Sequence, residues 1–484
     1  MLFNSYIFIL IFMPLCLIGY FGLNRLNRTK AAMIYLLGIS LWFYGYFHPK
    51  YLIIITASIV TNYLLYQIML RADGKLLRKT TVICGIAANI ALLMYFKYTD
   101  FFLSTVNSVA GTDFSLLHLT LPLGISFFTF QQISFLVDTY REEVPAYDFV
   151  EYACFVTYFP QLIAGPIVTH DELIPQFRDE TKKQLTWENF SKGMYLFALG
   201  LGKKVLVADT FGRAADIGFS DVGALDSTNA VITMLSYTFQ LYFDFSGYCD
   251  MANGLGKMMN IDLPLNFNSP YKALTIVDFW KRWHLTLTRF FTKYIYIPLG
   301  GSWYGERRTY LNTFLVFLIS GFWHGAGFNF IIWGIGHGVF FILTKKFHNR
   351  FSSLHPALNW IITFGFVNIM WVFFRASSVS DALVLLNRIA AFDFGPVFGS
   401  VVSCFDLPEI TMFLDLFPVR IHYPNVLLTG AFLLALFCVL GTDNAFEKMK
   451  RFRPSAGRCL IIVILLIWCI ASFRGVSTFL YFNF

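Results

Sequence analysis

Long apolar runs dominate the chain, and its polar residues gather in short clusters between them. Runs of roughly bilayer length, about 20 residues each, are predicted near 6–23, 31–47, 51–70, 80–97, 121–138, 150–167, 190–208, 229–248, 311–325, 328–346, 358–374, 424–440 and 459–473. Several are short for a straight crossing. The glycine-interrupted runs at 190–208 and 311–346 are expected to tilt, to be buried or to re-enter, because irregular backbone at membrane depth needs protein or a water-filled cavity around it. The pattern predicts an all-α polytopic membrane protein of about 10–13 helices. It forms one domain over 1–484, with a polar, amphipathic stretch at 260–310 and an aromatic tail at 475–484. No repeat of fixed period, low-complexity tract or attached soluble catalytic domain is evident.

Composition narrows the class. Hydrophobic residues make up 57% of 484 and charged residues 14%, against roughly 25% charged in a soluble domain, so the lipid bilayer is the expected solvent and no nucleic-acid partner is expected. The 56 Phe, 25 Tyr and 10 Trp exceed what a lipid-facing surface needs. They point to helices packed on helices, with aromatic belts at the interfaces.

Charge location sets the orientation. The run Tyr6 to Leu23 has no basic residue before it and no small-residue cleavage site after it, so it reads as a retained helix. Arg25, Arg28 and Lys30 follow it, and Arg71, Lys75, Arg78 and Lys79 come two runs later, which makes both loops cytoplasmic. Lys448, Lys450, Arg451, Arg453 and Arg458 precede the last run, so both termini are expected to face away from the cytoplasm.

The chemistry centres on histidine. The eight cysteines are scattered with no CxxC pair, and there is no GxSxG elbow, Walker loop, HExxH or dinucleotide fingerprint, so no metal or bound cofactor is expected. His324 stands in the almost uncharged stretch Tyr310 to Phe341, where an ionisable group is a functional candidate by default. Two readings stand side by side: a histidine hydrogen-bonded between helices, or a proton carrier for acyl or phosphoryl transfer. His284 comes 40 residues earlier, across a loop able to bring the two together. One imidazole would then remove the acceptor proton while the other, or a nearby donor, supports the oxyanion. His337 would lie on another face of a continuous helix and reads as structural.

Between Asn260 and Arg308 the basic residues Lys272, Lys281, Arg282, Arg289, Lys293, Arg307 and Arg308 outnumber Asp262, Asp278 and Glu306, as expected of a cytoplasmic face. Phe279, Trp283, Leu287 and Phe290 recur at helical spacing and predict one amphipathic helix over Asp278 to Phe291, either interfacial or part of an anion site. Asp244, Asp250, Asn253 and Lys257 recur at similar spacing and either pair as a buried network or line a funnel; Gln131, Gln132 and Asp138 are similar.

Three runs, WKRWHLTLTRFF (Trp280 to Phe291), YIYIPLGG (Tyr294 to Gly301) and GFWHGAGFNFIIWG (Gly321 to Gly334), resemble the membrane-bound O-acyltransferase family. Upstream, SFFTFQQISFLVDTYR (Ser126 to Arg141), YFPQLIAGPI (Tyr158 to Ile167) and the segment Gln240 to Tyr271 look like its bacterial branch that acetylates alginate and other cell-surface polysaccharides. The resemblance spans most of the chain. It implies a ring of membrane helices around a central funnel, with His324 as the catalytic histidine and His284 as the second polar residue. It also implies cytoplasmic acetyl-CoA as acyl donor, with Lys281, Arg282, Arg289, Arg307 and Arg308 as candidates for holding its phosphates.

The same resemblance raises a problem of sides, because acetyl-CoA is inside and the surface polysaccharide acceptor is outside. The ending FLYFNF (Phe479 to Phe484) resembles the aromatic endings of this branch. Either it is an interfacial anchor, or the Tyr481 hydroxyl takes the acetyl group and offers it to a separate extracytoplasmic enzyme of the SGNH-hydrolase-like acetyltransferase type. Candidate docking loops for that partner are 98–120 and 392–424. The setting implied is the bacterial inner membrane, with alginate, cellulose and peptidoglycan among the acceptors. D-alanyl transfer to teichoic acid from a carrier-protein thioester is the alternative within the family, and a polysaccharide transporter or flippase the alternative outside it.

Overall fold

A computed structural model describes residues 1–407, 424–473 and 479–480. Among them the regular structure is helical, with no strand. After a π-turn at Phe8–Phe12 come α1 (Met13–Arg25), α2 (Thr29–Gly45), α3 (Lys50–Arg71) and α4 (Lys75–Ala110). Next are α5 (Ile125–Tyr140), α6 (Phe149–Thr157), α7 (Phe159–Leu162), α8 (His170–Arg178), α9 (Trp187–Gly202) with a π-turn at Lys203–Ala208, α10 (Asp209–Ser220) and α11 (Ser227–Met258). The second half holds α12 (Ile276–Trp280), α13 (Leu285–Phe291), α14 (Gly305–His324), α15 (Phe328–Lys346), α16 (His348–Ser353), α17 (Pro356–Arg375), α18 (Val379–Ala390), α19 (Gly399–Ser403), α20 (Pro424–Gly441), α21 (Ala445–Lys450) and α22 (Ala456–Ala471).

Two helices form the centre. α11 is buried on every face from Ser236 to Gly256, and α5 from Ile125 to Leu136, as a helix surrounded by other helices must be. The outer helices instead present Ile18, Ile53, Ile361, Leu433 and Ile461 outward, the surface a bilayer would cover. Five stretches among the described residues are long and apolar enough to cross a membrane: Phe8–Arg25, Lys50–Arg71, Lys75–Ala110, Phe328–Lys346 and Pro356–Arg375.

Small residues let the inner helices approach closely. A Cβ on Gly193 would meet Gly254 O at 2.5 Å, and one on Gly200 would meet Gly247 O at 2.6 Å, so α9 and α11 touch backbone to backbone. The ladder of ion pairs at the end of that contact follows directly. Lys203 Nζ lies 2.6 Å from Asp250, and the buried Lys204 Nζ reaches Asp244 at 2.7 Å and Asp209 at 2.8 Å.

Three expectations change. Asp244 and Asp250 do form a buried network, but their partners come from Lys204 and Lys203, whereas Lys257 turns outward to Asp262 at 2.7 Å. The stretch 98–120 is not all loop, because α4 runs on to Ala110 and stops at Gly111, whose φ of 64° ends the helix in the left-handed region. The single amphipathic helix over Asp278 to Phe291 is broken in two at His284, and its apolar residues Phe279, Trp283, Leu287 and Phe290 are buried inside the protein.

Candidate active site

α14 begins at the basic face beside Arg307 and Arg308 and ends on His324. At 1.5 Å per residue the 16 steps from Arg308 put the imidazole about 24 Å along the helix. The following Gly325 to Gly327 reverse the chain into α15. The hairpin is tight, since a Cβ on Gly321 would meet Phe330 O at 2.4 Å and Gly334 Cα at 3.0 Å.

His324 is buried, and its ring packs against Trp323, Trp333 and Phe374 with centroids 4.8, 5.0 and 5.2 Å away. Its titratable neighbours are His284, Lys97 and His337. Lys97, from within α4, donates to Trp323 O at 2.6 Å and His324 O at 3.0 Å, and the neighbouring Tyr98 hydroxyl donates to Phe322 O. These bonds satisfy carbonyls that the last turn of α14 leaves without helical partners, and they set a cation at its negative end. An ammonium has three donors; two are used here, and Lys97 also lines a cavity of about 440 Å³ with Asp100, Gly325, Asn329, Phe374 and Ser377.

His284 is reached from the other direction. Its φ of 47° is left-handed, a conformation costing about 1–2 kcal/mol for a residue with a Cβ. The surroundings hold it there: Leu285 N donates to Asn266 O at 3.0 Å and Asn268 N to Arg282 O at 2.9 Å, while the Trp283 ring lies 5.0 Å from both Phe267 and Trp371. Strain maintained by its surroundings is a common mark of a functional position. His284 Nδ1 lies 3.1 Å from Asn266 Oδ1, which also accepts from Thr286 N at 3.3 Å and Thr286 Oγ1 at 2.9 Å. An acceptor opposite Nδ1 fixes the proton there and leaves the lone pair at Nε2.

Two further spaces lie beside α13. A polar one of about 140 Å³ is lined by Thr286, Arg289, Lys293, Glu172 and Tyr294. A more apolar slot of about 240 Å³ follows α14 from Thr313 to Ser320, with Tyr296 and Lys345 also on its wall. Ser320 is four residues before His324 and so on the same side of the helix.

His284 and His324 are both buried, and His284 is among the titratable groups around His324. His337 accepts from Trp280 Nε1 at 3.2 Å and packs on Trp333 at 4.7 Å, a bracing position. Among the proposed donor-binding residues, Arg289 lines the polar space and pairs with Glu172 at 2.7 Å. Lys281, Arg282, Arg307 and Arg308 line neither of these two spaces; Arg282 pairs with Asp278 at 2.9 Å and Arg308 donates to Leu299 O at 3.3 Å. Tyr481 lies outside the described residues, as does most of the 392–424 stretch beyond Leu407. Sequence reasoning passed over Lys97 and Asn266. Lys97 had a signal, a charge inside a long apolar run; Asn266 had none, because its role depends on a fold-back. No cluster of potential metal ligands occurs among the described residues.

An all-helical architecture with several membrane-length helices and buried histidines fits the class of integral membrane acyltransferases. The membrane-bound O-acyltransferase family model matches residues 15–379, and the chain belongs to that family. It is 40% identical over 525 aligned positions to a peptidoglycan O-acetyltransferase of Helicobacter pylori, covering 100% of this chain and 98% of that protein. It is 38% identical to the probable alginate O-acetylase AlgI of Pseudomonas aeruginosa, over 82% of this chain and 75% of that one. With a teichoic acid D-alanyltransferase of Bacillus subtilis it shares 26% identity over 51% of this chain and 66% of that protein.

Proposed function

We propose that this acyltransferase takes acetyl groups from cytoplasmic acetyl-CoA and passes them across the bacterial inner membrane for O-acetylation of a surface or cell-wall polysaccharide, peptidoglycan first among them. The observation that carries the reading is His324, which ends a helix whose residues Thr313 to Ser320 line one cavity and whose following Gly325 to Gly327 line another. The full-length similarity to a peptidoglycan O-acetyltransferase supports that acceptor over alginate and teichoic acid.

In this reading the thioester arm of acetyl-CoA follows the slot to Ser320. Its phosphates meet Arg289 and Lys293, within the positive field of Lys281, Arg282, Arg307 and Arg308. The Tyr481 hydroxyl attacks the thioester carbonyl. The new C–O bond forms, the C–S bond breaks, His324 takes the phenolic proton, and that proton leaves with the sulfur as free CoA thiol. With its lone pair at Nε2, His284 is suited to accept a proton or hydrogen bond and not to donate to an oxyanion. The third donor of Lys97 fills that second role. A separate SGNH-hydrolase-like enzyme then moves the acetyl group from Tyr481 to a sugar hydroxyl, restoring the phenol.

The test incubates purified wild type and His324→Ala with acetyl-labelled acetyl-CoA and maps label by mass spectrometry. Label at Tyr481 in wild type is expected, with a loss of about 100-fold to 10,000-fold in the variant. Normal polysaccharide acetylation in cells carrying Tyr481→Phe would refute the relay. Absence of both label and CoA release would redirect the search to a carrier-protein thioester.

A further inference from the structure

We propose that Asp244, held by Lys204, and the ring of Tyr248 form a built-in binding site for the chain's own C-terminal segment, and that docking there positions the segment for acyl transfer. The second half of this statement rests on the relay reading above; the docking does not.

Leu480 N donates to Asp244 Oδ2 at 2.9 Å, while the other carboxylate oxygen of Asp244 holds Lys204 Nζ at 2.7 Å. The ammonium sits 4.7 Å above the Phe479 ring. Phe479 is buried and meets Tyr248 edge-on with centroids 4.8 Å apart. Another neighbour of Tyr248 is Phe3, stacked at 4.9 Å, so Phe3 and Phe479 meet the same side chain of the central helix.

This arrangement does more than hide a charge. Asp244 would be served by Lys204 alone, yet one of its oxygens takes a backbone N–H from a residue 236 positions away. A carboxylate reads any amide, so the selectivity comes from the aromatic ring at 479 lying under the cation. The docking site and the histidine centre also share a helix. Asp244 and Tyr248 are one turn apart on α11, and the adjacent face carries Phe245, whose ring lies 4.9 Å from His284, and Cys249, which accepts from Asn266. Tyr481 is the residue after Leu480 in sequence, so docking of Leu480 tethers it to the helix whose adjacent face touches His284.

The test follows hydrogen exchange at the Leu480 amide in the full-length protein in detergent. Phe479→Ala leaves the buried ion pair untouched, so it can be read without unfolding; peptides from α9 report on the fold. Slow exchange is expected in wild type, roughly tenfold or more faster exchange in Phe479→Ala, and a parallel drop in acetyl label on the chain. Asp244→Asn, which keeps an acceptor oxygen but not the charge, is expected to fall between them. His324→Ala should lose the label and retain wild-type protection, which separates docking from chemistry. Equal exchange at Leu480 in wild type and Phe479→Ala would overturn the docking site, and faster exchange with undiminished label would overturn its positioning role. Protection intact in a Tyr481→Phe protein that still supports polysaccharide acetylation would remove the relay and leave the docking site standing.

Discussion

The break at His284 and the ladder between α9 and α11 treat buried polarity in opposite ways. At His284 the helix is interrupted, a left-handed backbone is tolerated, and hydrogen bonds to Asn266 determine which ring nitrogen keeps its lone pair. At Lys203 and Lys204, where α9 passes into a π-turn, Asp250 meets Lys203 and both Asp244 and Asp209 meet Lys204 at salt-bridge distance. The first region holds one imidazole in a defined tautomer; the second saturates its charges to hold helices in register. A buried pair contributes little net stability against an apolar replacement, but breaking one strands an uncompensated charge.

That asymmetry predicts the largest effect. Lys204→Met removes the cation that Asp244 and Asp209 share, and should cost about 3–5 kcal/mol in stability, whereas Asp244→Asn leaves Lys204 paired with Asp209 and should cost clearly less. Thermal unfolding in one detergent compares them, and the double replacement Lys204→Met with Asp244→Leu should recover much of the loss.

On the catalytic side, Lys97→Met removes both the cap on α14 and the donor lining the cavity beside Gly325. The expected drop in acetyl transfer is about 100-fold to 1,000-fold, the usual cost of an oxyanion donor, with unfolding temperature changing less than in Lys204→Met. A drop in stability with transfer per folded molecule unchanged would make Lys97 purely structural. Asn266→Ala frees the His284 tautomer and should lower transfer by about tenfold to 100-fold, less than loss of the base itself. Its signature is a shifted pH–rate profile, since the ring then titrates without its fixed acceptor.

The smallest effect belongs to the exposed ion pairs of Asp262. Burial raises the Asp262 carboxyl, but Lys257 and Lys182 overcome this and hold it below its ordinary value. A depressed folded value means the pairs stabilise the fold above the ordinary carboxylate range of about 4, and lose that contribution as pH falls through the depressed value. Because the side chain is more than half exposed, Asp262→Asn should cost about 0–1 kcal/mol near neutral pH, with wild type and variant converging in acid.

Much of the fold was legible because membrane helices announce themselves by length. The expected runs at 51–70, 328–346 and 358–374 correspond to Lys50–Arg71, Phe328–Lys346 and Pro356–Arg375 within a residue or two. His324 was legible for the related reason that a titratable group in an uncharged run has few structural explanations. The helix through His284 was misread because spacing reports which residues are apolar and not whether the backbone between them continues. Phe279, Trp283, Leu287 and Phe290 are buried as their pattern required, on two helices and not one.

What the sequence determined by itself was the bilayer as solvent, the long apolar helices, the family and the candidate histidine, since each depends on local composition or contiguous motif. Only the tertiary structure decided that Lys97 caps α14 from 226 residues away, that Asn266 orients His284, and that Asp244 receives the Leu480 amide. Those contacts join segments distant in the chain, and a hydrogen bond or ion pair exists only once packing brings its two groups within about 3 Å.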